Sequence, residues 1–386
     1  MSVKQIIKKC EQLYNDIDLF YVQEWKEKHK SRAIGFMPVY VPRELIHAAG
    51  MLPVGIMGAG DLLEIIKGDA YFQSYICHIP RSTIELGISN RLDCLDGMLF
   101  PAICDVIRNL SGMFKLMFKD MYVKYIDFPQ NFLKTLGGNF YQHELRTMSD
   151  DFSQINNVDV NRDDLNRSIK LYNENRAVIK ELYDLRSQNP HLVPGSELYL
   201  LMRASNVLEI TEYTALLREY ISETVCEKRP QRDNIRVVVT GVFCEQPPLA
   251  LIRALENSGC FIVDDDWMLG ARFILGDVAL SNDPINALAD AYLNHTVCTA
   301  SKYDQDGNKG AFLIEQVKKA KAEGVIFAAP SFCDPALLER PMQQKALNRE
   351  NIPYTSFKYS ENTGQFQVIK EQTGTFADSI KLWGDS

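Results

Sequence analysis

Apolar and polar positions along this chain fall into blocks whose period switches from helix-like to strand-like and back. Over residues 1–30 apolar side chains recur at helical spacing among Lys, Glu, Gln and Asp, which predicts an amphipathic helix. Short apolar runs follow at 33–37, 53–57, 97–100 and 122–128, separated by stretches of helical period. That is the rhythm of a parallel sheet whose strands are joined by helices. After residue 160 the pattern becomes long charged helices, through residue 186 and again over 196–228. Strand signals resume at 235–242, 261–263, 325–328 and 354–357, each followed by helical period. The predicted class is therefore α/β, with two Rossmann- or flavodoxin-like parallel-sheet domains, 1–155 and 231–386, joined by a helical connector over 156–230.

Length and composition agree with this. A chain of 386 residues exceeds what one hydrophobic core ordinarily supports, and 46% apolar with 24% charged residues describes a packed protein rather than a disordered one. The net charge of −8, with no long run of Lys or Arg, provides no field for nucleic acid. Residues 1–21 mix charged with apolar side chains, so they read as neither a signal peptide nor a membrane span, and the expected compartment is the cytoplasm. Nine cysteines in a reducing compartment are read as thiols or metal ligands, not as a disulfide framework.

One internal echo singles out two of them. The stretch Asp96-Gly-Met-Leu-Phe-Pro-Ala-Ile-Cys-Asp105 is matched by Glu323-Gly-Val-Ile-Phe-Ala-Ala-Pro-Ser-Phe-Cys-Asp334. In each copy an acidic residue and Gly lead into an apolar strand, which ends in Pro, two residues, and Cys-Asp at a helix start. Cys104 and Cys333 are thus placed at the carboxyl end of a strand, the edge where open α/β sheets bind ligands, with backbone N–H groups that favour a thiolate. Cys77, in Tyr75-Ile-Cys-His-Ile-Pro-Arg81, also immediately precedes a helix. Three soft ligands suit zinc or an iron–sulfur cluster, although no Cys-x-x-Cys pattern of the ferredoxin or zinc-ribbon type is present. Cys244, after the strand at 235–242, is a rival ligand. Cys10, Cys94, Cys226, Cys260 and Cys298 are read as structural.

Other chemistry is sparse. His78, beside Cys77, is either a proton-delivering group or a packed loop histidine. His29, His47, His143, His191 and His295 form no zinc-hydrolase pattern, and no Walker A motif or Gly-x-Gly-x-x-Gly follows a strand; Gly55 to Gly60 lacks the Lys-Ser/Thr ending. The stretch Tyr40-Val-Pro-Arg-Glu-Leu45 opens a helix whose free N–H groups suit a carbonyl or phosphate, or is simply a capped start with Pro42 in the first turn.

Several spaced segments, in order and covering nearly the whole chain, resemble one known family. They are residues 35–54, Cys77 with Arg81, residues 92–108 with Cys104-Asp105, Val263-Asp-Asp-Asp-Trp-Met-Leu-Gly-Ala-Arg-Phe273, and Ser331-Phe-Cys-Asp-Pro335. The family comprises the cluster-bearing subunits of ATP-dependent benzoyl-CoA reductases and of 2-hydroxyacyl-CoA dehydratases. The resemblance implies a 4Fe-4S cluster on Cys77, Cys104 and Cys333, and pairing with a homologous cluster-bearing subunit. It also implies two subunits of a separate ATPase activator, completing a heterotetramer, and ferredoxin as electron donor, which accounts for the missing ATP motif.

Within the family the chain is most similar to the smaller cluster-bearing subunits of the reductase branch. The implied reaction is two-electron reduction of the ring of benzoyl-CoA to cyclohexa-1,5-diene-1-carbonyl-CoA; the alternative is a dehydratase that removes a 2-hydroxyl through a ketyl radical. On this reading His78 or Glu44 is the acid, Tyr40 and Pro42 contact substrate, and Arg272 is a charge partner near the cluster or an ordinary salt-bridge residue. Two departures stand out. Glu371-Gln-Thr-Gly-Thr-Phe376 replaces an Arg-rich stretch, and Met37-Pro38-Val39 lacks the small polar or thiol residue of many dehydratases, which leans towards a reductase.

Overall fold

The computed structural model describes residues 1–73, 75–241, 246–297, 299–302, 309–360 and 366–383. The first half runs α1 (Val3–Asn15), α2 (Phe20–His29), β1 (Ala33–Phe36), α3 (Arg43–Ala48), β2 (Leu52–Gly55), α4 (His78–Ile88), β3 (Gly97–Pro101), α5 (Asp105–Met117), β4 (Tyr122–Ile126) and α6 (Asn139–Asn156). Three helices follow, α7 (Arg162–Gln188), α8 (Gly195–Ala204) and α9 (Ile210–Thr224). The second half runs β5 (Ile235–Thr240), α10 (Leu249–Glu256), β6 (Cys260–Asp265), α11 (Pro284–Asn294), α12 (Ala311–Ala320), β7 (Gly324–Pro330), α13 (Asp334–Arg349), β8 (Tyr354–Tyr359) and α14 (Phe366–Trp383).

The strands form two four-stranded, all-parallel sheets of identical topology, ordered β2-β1-β3-β4 and β6-β5-β7-β8. Every apolar run read as a strand carries one, with ends shifted by a residue or two. Helical crossovers cover both faces, so β1 and β3 are buried at every position instead of alternating.

The single helix expected over residues 1–30 is two. Asp16 divides it: its carboxylate accepts from the backbone N–H groups of Phe20 and Tyr21 at 3.0 and 3.1 Å, starting α2, and Leu19 takes a left-handed φ of 56°. The two halves also exchange segments between their cores. Val3, Ile6 and Cys10 of α1 pack with Tyr199, Leu217, Val237 and Ile262 in the core of the second sheet. Conversely Phe273, Ile285, Leu288 and Tyr292, which follow β6, join Ile34, Leu99 and Tyr141 in the core of the first.

The long helix α7 links the two. Asn161 caps it, accepting from the N–H groups of Asp163 and Asp164 at 2.8 and 3.1 Å. Towards the first sheet, Ser168 Oγ donates to the Glu44 carbonyl at 2.9 Å and Arg176 Nη1 donates to Glu44 Oε1 at 2.7 Å. Towards the second, Arg186, fully buried, donates to Asp265 Oδ2 at 2.6 Å. Tyr183 donates to the same carboxylate at 3.2 Å, and the guanidinium carbons of Arg186 and Arg272 lie 4.5 and 3.4 Å from its ring centre. Removing Arg186 would leave the fully buried Asp265 with only the more distant Arg272, 3.8 Å away, to offset its charge.

His47 ties α3 to α9, with Nδ1 2.9 Å from Ser168 Oγ and Nε2 3.4 Å from Glu209 Oε1. Burial acts to raise the Glu209 carboxyl, but hydrogen bonds from His47, Thr211 and the backbone N–H groups of Thr211 and Glu212 outweigh it and bring it from 4.5 down to about 2.

Two outcomes follow. Arg186→Met is expected to destabilise the fold by about 3–5 kcal/mol, read as a lower urea midpoint; an unchanged midpoint would show that the pair is idle. Because the Glu209 carboxyl is depressed, its contribution is present above 4.5 and fades as pH falls towards about 2. Glu209→Gln should therefore be less stable than the parent at neutral pH, with the gap closing across that acid window.

Candidate functional site

Cys104 and Cys333 occupy equivalent places in the two halves. Each lies just beyond the third strand of its half, β3 or β7, with two residues between it and the terminal Pro101 or Pro330, and each immediately precedes a helix, α5 or α13. In both sheets the chain crosses from one side to the other between the first and third strands, which opens a crevice at the carboxyl edge. Cys77 arrives by another route, as the residue preceding α4 after the long connection from β2. All three line one cavity of about 620 Å³.

One face of α13 forms a wall of that cavity, with Pro335, Leu338, Glu339 and Met342 at helical spacing. Ile79, Ile103, Ile107 and Phe332 add apolar surface, and Asp105, Tyr125, Lys309 and Asp334 add polar groups. Burial pushes the Cys104 thiol above its ordinary 9.0, against the backbone N–H groups of Ile107 and Val106, and the neighbouring Cys333 and Asp105 push it further. The helix start expected to favour a thiolate is thus present but outweighed by burial, and a bound cation would be needed to tip the balance.

The donor set fits a polynuclear group. Among the described residues no three His, Cys, Asp or Glu side chains stand close enough to hold a single metal ion. The three sulfurs instead surround a space, and thiolates spread around a cavity suit an iron–sulfur cluster better than a tetrahedral zinc ion.

The remaining sequence candidates are not gathered there. His78 is buried in the first turn of α4, behind Cys77, and does not line the cavity. Glu44 is buried in its pair with Arg176, so its carboxylate is committed to holding α7. Arg272 faces a separate cavity of about 790 Å³ and is paired with Asp264 and Asp265. Pro42 caps α3, and Tyr40 is buried among Phe128, Phe273 and Tyr292. The Tyr40 hydroxyl lies 2.7 Å from Thr299 Oγ1, so it braces the loop next to Ala300 in the cavity wall.

Val39 and Tyr40 both have positive φ, 73° and 62°, a strained turn for a β-branched residue, and the residue this turn presents to the cavity is Pro38. Cys244 and Cys298 lie outside the described residues. Cys10 and Cys260 are packed in the second core, Cys260 as the first residue of β6 rather than in a loop, and burial pushes each thiol up to about 12. Cys94 is half-buried and Cys226 exposed.

Sequence reasoning named Pro38 only within Met37-Pro38-Val39 and missed Tyr125, Lys309 and Glu339. A signal existed only for Glu339, which shares the 335, 338, 342 helical face that follows Cys333.

Residues 38–380 match the family described as 2-hydroxyglutaryl-CoA dehydratase, D-component. The chain belongs to that family. The match to the dehydratase D-component family begins at Pro38 of the cavity wall and takes in Cys77, Cys104 and Cys333. A benzoyl-CoA reductase subunit of Thauera aromatica is 55% identical over 385 residues, 99% of this chain and 100% of that protein. The beta subunit of (R)-2-hydroxyglutaryl-CoA dehydratase from Acidaminococcus fermentans is 29% identical over 90% of this chain and 92% of that protein. The beta subunit of (R)-phenyllactyl-CoA dehydratase from Clostridium sporogenes is 26% identical over 93% of this chain and 95% of that protein.

A structural role for Glu44 makes a clear forecast. Glu44→Ala should lower stability by about 3 kcal/mol or more, read as a lower urea midpoint, because Arg176 loses its buried counterion. An unchanged midpoint together with lost activity would return Glu44 to the site as an acid.

Proposed function

We propose that this chain is an iron–sulfur subunit of an ATP-dependent, ferredoxin-linked benzoyl-CoA reductase acting in anaerobic aromatic degradation in the cytoplasm. The observation that carries the reading is the 55% identity to a benzoyl-CoA reductase subunit along the full length, against 26–29% to the dehydratase subunits. The convergence of Cys77, Cys104 and Cys333 on one cavity supports a 4Fe-4S cluster. Its partners would be a homologous cluster-bearing subunit and a two-subunit ATPase activator.

Cys77, Cys104 and Cys333 would hold the cluster, which when bound supplies single electrons at low potential. The chain's own residues supply the conditions for using them. Ring reduction consumes two electrons and two protons, and an arene carrying an extra electron survives only where water is kept away. Ile79, Ile103, Ile107 and Leu338 provide the apolar wall. Tyr125 also faces the cavity, and burial pushes its hydroxyl above its ordinary 10.0, so it remains a protonated hydrogen-bond donor at neutral pH. Tyr125 is therefore better placed than Glu44 to face a reduced acyl-CoA.

Anaerobic iron and sulfide assays, with the EPR spectrum of the reduced protein, test the ligand set. Cys77→Ala, Cys104→Ala and Cys333→Ala should each lose cluster content, whereas Cys226→Ala should not. The assembled complex, given benzoyl-CoA, ATP and a low-potential reductant, should form the dienoyl-CoA. Dehydration of a 2-hydroxyacyl-CoA in its place would sink the reductase reading and leave the ligand set intact.

A further inference from the structure

Among the described residues that line the cysteine cavity, Lys309 is the one cation. It shares that lining with three thiols, Cys77, Cys104 and Cys333, and three carboxylates, Asp105, Asp334 and Glu339. Its ammonium is held in place: Glu339 Oε1 lies 2.9 Å away, and the carbonyl oxygens of Thr299 and Lys302 each accept at 3.3 Å. The two side chains are only 17% and 13% exposed, so water screens the pair weakly. The supporting loop is braced through Thr299 by the Tyr40 hydroxyl. Gly310, the next residue, has φ of +106° and leaves no room for a Cβ, which would lie 2.6 Å from the Ala346 methyl.

The duplicated topology shows what Lys309 replaces. α4 and α12 are counterparts, each leading into the third strand of its half. α4 is preceded by Cys77, whereas α12 is preceded by Gly310 with Lys309 before it. Where the first half brings a thiol to the shared cavity, the second brings a positive charge.

We infer that Lys309 sets the charge of this site, raising the reduction potential of the cluster, with Glu339 as its counterweight; the inference rests on the cluster reading above. A fixed cation stabilises the state that carries the added electron, and cluster potentials follow local charge and burial. Lys309 acts through the field and is a positioning residue.

The test is an anaerobic redox titration of the purified full-length chain, separated from its cluster-bearing partner, followed by the EPR signal of the reduced cluster. Each reduced mediator dye gives up one electron and is oxidised as one cluster is reduced. Lys309→Met should lower the ratio of reduced to oxidised cluster at a fixed poise about tenfold, which is about 59 mV for a one-electron couple. Glu339→Gln should move it the opposite way, and Lys309→Arg should return it close to the parent. Iron and sulfide content should match the parent throughout. A parent without iron and sulfide overturns the cluster reading itself. A loaded parent whose titration superimposes on those of Lys309→Met and Glu339→Gln overturns only the role of Lys309. If Lys309→Met does not fold, an unshifted Glu339→Gln overturns it alone.

Discussion

The contact between Arg186 and Asp265 governs how the two sheets stand to one another. Both side chains are out of water, and a guanidinium so buried can be tolerated only with its counterion in place. That requirement fixes the end of α7 against the end of β6, while Arg176 and Ser168, on the same helix, fix its earlier turns to α3. The distance along α7 between these anchors therefore becomes the spacing between the carboxyl edges of the two sheets. A cavity lined by cysteines from both edges needs that spacing to be rigid.

The topology of the halves accounts for the layout of the site. Both sheets have the same strand order, so a Pro-x-x-Cys-Asp turn after the third strand arrives at the same point of each. The halves have diverged where it matters for chemistry, since the helix preceded by Cys77 in one corresponds to the helix preceded by Lys309 and Gly310 in the other. One cavity is thus built from two similar edges, with a single set of three thiols shared between them.

Much of this was legible in the sequence because parallel strands buried on both faces leave continuous apolar runs, which is why the strands were found close to their true ends. The echo around Cys104 and Cys333 was legible for the same reason, being a property of two strand ends. What was not legible depends on distant partners. The break between α1 and α2 rests on one carboxylate, Asp16, within an otherwise unbroken helical period. Arg272 and Glu44 were read as site residues because they are charged and stand in segments shared with the family. Glu44 is neutralised by α7 and Arg272 by the end of β6, and no local pattern announces either partner. Lys309 was invisible, since nothing near it in the chain marks it and only the fold brings it to the cysteines.

The exchange of segments between cores bears on how the protein matures. With α1 completing the second core, and the segment after β6 completing the first, neither half has a finished interior of its own. The first half cannot settle on its own as it leaves the ribosome, because part of its interior is still to be synthesised. The last of the three cysteines, Cys333, follows β7, so the ribosome has passed through the whole first sheet and three strands of the second before the cavity can close. A group held by all three thiols would accordingly enter late, once most of both sheets has been synthesised.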